Sequence, residues 1–397
     1  MKIEVNTQQF LEKAAAISGA VSAKEVVPAF CKFFLNIEKT EKEETKIHLI
    51  ASNGDITEFG TLSAKAISWD DKSDSVKVLI QAEKLLKILR TLRTANIIIE
   101  IQQDSLIIVS GRARINLSRA TDEKIMIDSF EVDHLIHKKY SWITMDLDWT
   151  KILKKVTFAQ NSANEESVAV SLAGVQIDIT PKDGTTVTLQ ARATNRTRIV
   201  HFSGDIKVSL PIATPISFHI KKEVASELMT RQTNSIMITT DGKNLLAAGK
   251  SETFLYWTVA DAKFPDLDSH IKAAKNDKGI ELVFQKETLQ NALAIAILSV
   301  EPIADLRHVT MNITKQSNED KLIGMEGDSF DTSFKDILEA VTIDGFVKDL
   351  QVIFDPDDVN DYVKLMPNMK ITVKVVENIM VVITQEEELL PNQQYIY

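Results

Sequence analysis

The chain has 397 residues, of which 44% are hydrophobic and 26% charged, a balance that predicts a soluble globular protein and argues against a disordered or membrane-spanning one. Its net charge of −10 argues against nucleic acid as a partner unless the basic residues are gathered on one surface. The single cysteine, Cys31, cannot form a disulfide within the chain, and the first residues lack the apolar stretch of a signal peptide, so we expect a cytoplasmic protein.

A short apolar strand followed by an amphipathic helix occurs three times, at a spacing of roughly 140 residues. The copies begin at Ile3, Ile143 and Leu282, and in each copy apolar residues recur at helical spacing after a polar break. A repeat of this length favours an array or ring of similar units over a single catalytic pocket. We therefore predict three domains, at residues 1–138, 139–277 and 278–397.

A second strand-and-helix unit lies inside each domain and resembles the first. These units begin at Val78, Ser217 and Val352, and each is followed by further strands. Each domain should therefore consist of two halves, each built from a strand, a helix and further strands. The predicted fold class is α+β, with six such halves along the chain.

The predicted helices differ in charge. Those at residues 81–93, 148–157 and 221–231 carry more basic than acidic side chains, whereas the last one, at residues 355–364, is acidic. This pattern predicts a positive surface made by helices in an otherwise acidic chain. The alternative is that these are ordinary solvated helix faces with incidental lysines. The basic side chains that carry the argument are Lys84, Lys87, Arg90, Lys154, Lys155, Lys221 and Lys222.

Catalytic and metal-binding patterns are weak throughout the sequence. Gly249-Lys250-Ser251 lacks the glycine spacing of a phosphate-binding loop, and His134 and His137 have no further ligand near them. No nucleophile, base and oxyanion donor occur together in a recognisable spacing. We expect a protein that is not an enzyme and that needs no cofactor or metal.

Several short motifs, each weak alone, occur together over the whole chain. They are the Ile17–Gly19 turn with Lys24 and Pro28 after it, and the segments 110–118, 192–200, 261–267 and 294–299. In this order and spacing the chain resembles the bacterial DNA sliding clamp, the β subunit of the replicative DNA polymerase, as a divergent member. The resemblance implies a three-domain DNA-clamp fold, a head-to-tail homodimeric ring, and helices that line a hole for duplex DNA.

The function that the resemblance implies is that of a processivity factor, which encircles DNA without reading its sequence and tethers the polymerase and other partners. Lys24 takes the place of a DNA-contacting arginine of the family, and Lys84 with Lys221 or Lys222 matches basic positions near the hole. The loop with Glu165 and Glu166 departs from the family pattern. The alternative is a clamp-fold interaction scaffold that no longer encircles DNA, which that loop and the acidic last helix favour.

The resemblance also implies a seam between the first domain of one chain and the third of another. Apolar residues of the strand at 110–118 would meet the end of the first helix of domain three, and arginines near that strand could pair with acids such as Asp328 and Asp331. For Ile115 and Leu117 the alternative is the core of their own domain. The seam residues are Arg112, Arg114, Ile115, Leu117, Ile297 and Leu298, with Arg119 as a further ion-pair candidate.

Family members have a cleft between domains two and three that takes short linear peptides from polymerase, clamp loader and repair proteins. Carried over, its residues are Leu172, Thr194, Arg198, Ile199 and Pro265, with His270 or Ile271 near the rim. Residues 195–197 depart from the family, and the family's C-terminal Met-Pro or Leu-Pro segment has only a faint and early echo in Leu389-Leu390-Pro391. Three alternatives follow from this: an altered cleft, a cleft tuned to unusual partners, or a truncated tail. We expect weak peptide binding, with Arg196 a bulky cation at the rim, and with Arg196 and Arg198 favouring partners that carry acidic residues beside the apolar anchor.

Overall fold

A computed structural model describes the chain except for residues 23–27, 40–44, 55, 70–74, 120–140, 161–173, 196–197, 241, 249–252, 259–263, 275–278, 301–307, 330–331, 346–347, 367–368, 377–378, 384–393 and 397. The residues cluster into two compact units. The first unit contains 1–153 and 207–261, and the second contains 154–206 and 262–397. The three domain boundaries drawn from the sequence stay a prediction.

The helices and strands of the first repeat follow the predicted order. They are β1 (Lys2–Asn6), α1 (Thr7–Ala16), β2 (Lys32–Lys39), β3 (Thr45–Ser52), β4 (Ile56–Ser68), β5 (Ser75–Gln81), α2 (Ala82–Thr91), β6 (Asn96–Ile101), β7 (Ser105–Ser110) and β8 (Ala113–Ser118). The Asn6 side chain caps α1 by accepting a hydrogen bond from the Gln9 backbone N–H at 3.0 Å. The inward face of α1 is apolar, with Phe10 and Ala14 buried.

The second repeat has the same alternation. Its elements are β9 (Trp142–Asp146), α3 (Trp149–Val156), β10 (Gly174–Asp183), β11 (Thr186–Thr194), β12 (Ile199–Lys207), β13 (Ile216–Lys221), α4 (Lys222–Thr230), β14 (Ser235–Thr239), β15 (Asn244–Ala248), β16 (Thr253–Thr258) and α5 (Asp268–Ala274).

The third repeat completes the chain. It contains β17 (Ile280–Gln285), α6 (Lys286–Ser299), β18 (Val309–Ile313), α7 (Lys315–Asp320), β19 (Leu322–Asp328), β20 (Ser333–Glu339), β21 (Thr342–Asp344), β22 (Leu350–Phe354), α8 (Pro356–Leu365), β23 (Lys370–Val376), β24 (Ile379–Ile383) and β25 (Gln394–Ile396). All six predicted strand-and-helix pairs are present, so the α+β prediction is confirmed.

In the first unit, one sheet runs through both repeats. Its order is β8-β7-β6-β1-β4-β16-β15-β14-β9, with β2, β3 and β5 attached beside β4. The join is the antiparallel pair β4–β16, in which Gly60 lies opposite Thr253. Because main-chain hydrogen bonds cross this join, the strands of the first and second repeats form one continuous surface.

The second unit contains smaller antiparallel sheets. Their orders include β10-β11-β12-β25, β21-β17-β23-β24 and β20-β19-β18-β22. The short strand β25 pairs with β12, with Ile396 opposite His201. In the last of these sheets β20 is a terminal strand, as β8 is in the first unit.

A buried charged cluster ties the elements of the first unit together. Arg231, just after α4, contacts Glu58 of β4 at 2.6 Å and Glu227 at 3.1 Å. It also donates to the Thr253 hydroxyl at 3.0 Å and to the Ala16 carbonyl at the end of α1 at 2.5 Å. The Arg231 and Glu58 side chains are 5% and 0% exposed. We call these residues the Arg231 cluster.

Candidate functional site

Helix α2 has an apolar face and a basic face. Leu85, Leu86 and Leu89 are buried, whereas Lys84 and Arg90 are exposed. Lys87 is also exposed and pairs with Glu83 at 2.5 Å, one turn away. The Lys87 hydrogen bond holds the pKa of Glu83 below its usual value. Because these cations are not needed for packing, they form a surface on which a polyanion could lie.

Helices α3 and α4 add basic residues with less exposure. Lys154 of α3 is exposed, and Lys155, Lys221 and Lys222 are half-buried. Lys221 and Lys222 lie at the start of α4, where positive charge is unfavourable because a helix N-terminus is itself positive. Helix stability therefore does not account for their position. Lys24, the remaining predicted DNA contact, lies outside the described residues.

The helices of the third repeat have no comparable basic face in the part that the structure describes. The first turn of α8 carries Asp357 and Asp358, and the exposed residues of α6 include Glu287 and Asn291. Lys286 is used internally, because its ammonium group donates to the Met366 carbonyl at the end of α8. The predicted DNA-contacting side chains that the structure describes thus lie on α2 and α3 and at the start of α4.

The terminal strand β8 carries the first half of the predicted seam. Arg114 is 57% exposed and pairs with Glu100 at 2.7 Å, which also pairs with Lys2 at 3.1 Å. The hydrogen bond from Lys2 and then that from Arg114 hold the pKa of Glu100 below its usual value. Arg112 is exposed and Ile115 is half-buried. Leu117 is buried in its own unit, as the alternative interpretation expected.

The end of α6 and the terminal strand β20 carry the second half of the predicted seam. Leu298 is 85% exposed, an unusual position for a leucine, whereas Ile297 is half-buried. Two residues were missed from the sequence: Ile295, 51% exposed, and Ile337 on β20, 66% exposed. Ile295 precedes Leu298 by three residues, so helical spacing would have identified it. Asp328 is exposed at the end of β19, and Asp331 lies outside the described residues.

Two hydrogen bonds hold the backbone of Arg198 among the predicted cleft residues. The Thr194 hydroxyl donates to the Arg198 carbonyl at 2.6 Å, and the Arg198 backbone N–H donates to the Asn195 side chain at 2.8 Å. Thr194 is buried and Ile199, the first residue of β12, is half-buried. Leu172 and Arg196 lie outside the described residues.

The Arg198 side chain, predicted as part of the cleft wall, is buried. Its side chain is 2% exposed and contacts the Asp358 carboxylate, whose side chain is 17% exposed. The guanidinium carbon lies 5.8 Å from the ring centroids of both Phe158 and Tyr362. Burial raises the pKa of the Tyr362 hydroxyl. Arg198 stays inside because the two rings and one carboxylate replace the water that a cation would otherwise need.

The other predicted cleft wall is held by a second arginine, Arg192 of β11. Its side chain, 14% exposed, pairs with Asp178 and donates to Asp268 at 2.8 Å. Asp268 is the first residue of α5, so this bond positions the segment with half-buried Pro265 and Ile271, 8% exposed. His270 of the same helix is exposed.

Sequence reasoning did not identify Phe158, Asp358, Tyr362 or Arg192 as parts of this region. The first turn of α8 was noted in the sequence only for its acidic charge, whereas Asp357 and Asp358 are both half-buried and Asp358 pairs with Arg198. Contacts between residues so far apart in the chain leave no periodic signal, so only the fold brings them together.

Metal-binding clusters and membrane-spanning helices are not found among the described residues. No group of three or more metal-ligating side chains occurs there. Likewise, none of the described helices is long and apolar enough to cross a membrane.

A family model matches the first part of the chain, whereas the curated proteins give no match. Residues 1–126 match the model of the family described as DNA polymerase III beta subunit, N-terminal domain. No curated protein matches the sequence significantly.

Solved structures of sliding clamps match the whole chain. The DNA polymerase III subunit beta from Pseudomonas aeruginosa has a TM-score of 0.76 at 14% identity, and the Bacillus subtilis sliding clamp has 0.73 at 18%. The beta subunit from Thermotoga maritima has 0.70 at 18%. Each match covers 100% of this chain and 98% of the other. The first 126 residues thus match the DNA polymerase III beta-subunit family, and the chain as a whole has the fold of the bacterial sliding clamps, as the sequence predicted.

Proposed function

We propose that this protein is a DNA sliding clamp, a processivity factor without enzymatic activity that encircles duplex DNA as a homodimeric ring. The observation that carries the proposal is the clamp fold of the whole chain, supported by exposed basic residues on α2 and α3 and by half-buried lysines at the start of α4 in an acidic chain. Lysine and arginine side chains attract phosphates without reading bases, which allows sliding. An acidic remainder discourages DNA from binding elsewhere.

The DNA surface can be tested by charge reversal at Lys84 and Arg90. Both are exposed on α2, so reversal should weaken DNA binding without unfolding the helix. Each phosphate contact contributes about 0.9 to the slope of log affinity against log salt, so the slope should fall by about 2. The matched control reverses Lys335 and Lys364, exposed cations of the third repeat, and should leave the slope unchanged. Equal loss in both variants would show that binding is diffuse.

Homodimerisation through β8 and the α6–β20 side is the second part of the proposal. Both strands are terminal in their sheets, and a terminal strand invites pairing with another chain. Arg112 and Arg114 on one side complement the acidic residues Asp328 and Glu339 on the other. Leu298 and Ile295 supply apolar area that has no cover within the described residues of one chain.

The seam can be tested by Leu298→Asp in analytical ultracentrifugation. A charge at the centre of an apolar contact should weaken dimerisation at least tenfold, because about 1.5 to 3 kcal/mol of burial is lost per large side chain. Ile353→Asp is the matched control, since Ile353 is 65% exposed on β22, at the opposite edge of the same sheet from β20. An unchanged dimer in the Leu298→Asp variant would place the interface elsewhere.

Partner tethering is the third part of the proposal. Short linear peptides from a polymerase, a clamp loader and repair proteins would bind between the residues Thr194, Arg198 and Ile199 on one side and the Pro265–Ile271 segment on the other. The support is that both segments are held in place by specific bonds, through Asn195 in the first and through Arg192 in the second. The protein would tether its partners in the cytoplasm, where replication proteins and DNA are present in bacteria.

A clamp-fold scaffold that does not encircle DNA is the second candidate. The acidic first turn of α8 favours it, because a helix facing DNA should not present carboxylates. Salt-resistant retention on circular DNA separates the two candidates, since a scaffold would be lost from circular and linear DNA alike.

A further inference from the structure

We propose that Arg119 is a positioning residue of the dimer seam, whose guanidinium group fixes the end of β8 on main-chain carbonyls of its own unit instead of pairing with an acid across the seam. This inference rests on the proposed homodimerisation, because the first half of the seam lies on β8. It replaces the sequence-based interpretation of Arg119 as an ion-pair candidate.

Arg119 directly follows β8 and is bonded through both its backbone and its side chain. The backbone N–H donates to the Asp104 carbonyl at 3.1 Å. The side chain donates from Nη1 to the Gln102 carbonyl at 2.7 Å and from Nη2 to the Lys77 carbonyl at 3.2 Å. The guanidinium group therefore joins the end of β8 to two other segments, the turn after β6 and the strand β5.

The bond to Lys77 joins two strands that no described ladder connects. Among the described strands β8 pairs only with β7 and β5 pairs only with β2, so each is a terminal strand of the sheet. The Arg119 side chain thus supplies a link that strand pairing does not. Its planar fork suits this task, because its N–H groups point in fixed directions at two acceptors, which the compact ammonium group of a lysine cannot reproduce.

The start of β8 is fixed by a different feature, the turn from β7. Ser110 lies opposite Ala113 in the ladder, and Gly111 between them has a φ of +60°. This left-handed backbone favours glycine, and a short hairpin turn sets the register of its two strands. With this turn at one end and Arg119 at the other, the 6 residues of β8 are held at both ends.

A strand that is held at both ends is prepared for pairing across the seam. A terminal strand has unpaired main-chain groups on one side, and strand ends open locally when few contacts hold them. An association that must first order a strand loses affinity, because ordering costs entropy. Arg114, 57% exposed, and half-buried Ile115 lie between the two fixed ends, so Arg119 holds the strand that presents them.

The test compares lysine and methionine substitutions at Arg119 with the same substitutions at Arg112, as dimer dissociation constants from analytical ultracentrifugation at low and high salt. Both Arg119 variants should weaken dimerisation about tenfold at either salt concentration, because lysine keeps the charge but loses the bridge. Arg112 is exposed in the turn before β8. Arg112→Lys should therefore match wild type, and a loss in Arg112→Met should disappear at high salt.

A second measurement does not need the dimer. In the Leu298→Asp background, which should be monomeric, we expect hydrogen exchange of the β8 amides that bond to β7 to rise about tenfold on Arg119→Lys. Arg112→Lys should leave this exchange unchanged. Urea unfolding of the first unit should shift little in either variant, since a link at a strand end orders that strand more than it supports the core.

The outcomes separate this inference from the proposed function. If Arg119→Lys dimerises like wild type, or if its loss disappears at high salt, Arg119 does not act by positioning β8 and the inference fails. If wild type is monomeric at every concentration, the homodimer proposal fails, and the exchange measurement alone decides whether Arg119 fixes β8: unchanged exchange in Arg119→Lys overturns it. Should Arg119→Met fail to fold, Arg119→Lys decides the question.

Discussion

Two buried arginines, one in each unit, are held in different ways. Arg231 of the first unit meets two carboxylates, a hydroxyl and a helix-terminal carbonyl. Arg198 of the second unit meets one carboxylate and two aromatic rings, and its Nε and Nη1 groups have no hydrogen-bond acceptor among the described residues.

The two arginines differ in how many of their N–H donors are bonded. A buried cation whose donors are used cannot bind anything else, so Arg231 is a structural centre for β4, α1, α4 and β16. Arg198 keeps donors without an acceptor among the described residues, and a buried donor that makes no hydrogen bond is energetically costly. The same side chain is therefore fully bonded in the first unit and incompletely bonded in the second.

The largest expected effect is that of Arg231→Met on the stability of the first unit. Removing the cation leaves Glu58, 0% exposed, without its partner and frees the Ala16 carbonyl, which should cost roughly 3 kcal/mol. All four tryptophans, Trp69, Trp142, Trp149 and Trp257, lie in this unit, so tryptophan fluorescence during urea unfolding reports on it selectively. A change under about 1 kcal/mol would mean that the cluster is not a structural centre.

The stability of the first unit should also depend on pH. Burial, followed by the neighbouring Glu227 carboxylate, raises the pKa of Glu58 from 4.5 to about 8, although Arg231 opposes this. The folded state therefore holds a proton that the unfolded state releases. Stability from this group is fully present below 4.5 and is lost as the pH rises toward 8. Between about pH 6 and 8, urea unfolding should show a loss of up to about 2 kcal/mol that Glu58→Gln removes.

Arg198→Met should lower the stability of the second unit, and by less than Arg231→Met lowers that of the first. Asp358 is partly exposed and can be hydrated once the cation is gone, and methionine still packs against Phe158 and Tyr362, so we expect about 1 kcal/mol. The tryptophan-detected transition of the first unit should not move. Hydrogen exchange of α8 and β12 amides is the direct measurement, and equal protection in both proteins would show that the contact contributes nothing.

The smallest expected effect is that of Gly19→Ala. A Cβ atom at residue 19 would lie 2.6 Å from a carboxylate oxygen of Glu227, whose flexible side chain can move away. The cost should be about 0.5 to 1 kcal/mol, through a weakened Glu227–Arg231 pair. Combined with Arg231→Met, the substitution should add almost nothing, because the pair that it disturbs is already gone. If the free-energy changes of the two substitutions add fully in urea unfolding, Gly19 does not act through the Arg231 cluster.

Periodicity and spacing identified much of the fold. The strand-and-helix pairs at Ile3, Ile143 and Leu282 were visible because their apolar residues recur locally. The role of Gly19 was not visible, although its motif was, since Glu227 meets it only through the fold. Leu117 was assigned to a seam while its side chain is buried, because an alternating strand does not say which of its faces meets a partner.

The site was predicted less completely than the fold. Lysines on α2 could be identified from charge alone, and the structure leaves Lys84 and Arg90 exposed. The Asp358–Arg198 pair joins two segments remote in the chain, and a pairing that depends on tertiary contacts has no signature in one sequence. Exposure of single residues such as Leu298 and Ile295 likewise depends on which helix face the sheet covers.

The most direct test of the clamp proposal is retention on DNA of different topology. Protein loaded with a bacterial clamp loader onto nicked circular plasmid should stay bound through a high-salt wash and should be lost when a restriction enzyme linearises the plasmid. Phosphate contacts alone would be screened by that salt, so only encirclement explains the difference. Equal retention on circular and linear DNA, or loss from both, would contradict the account.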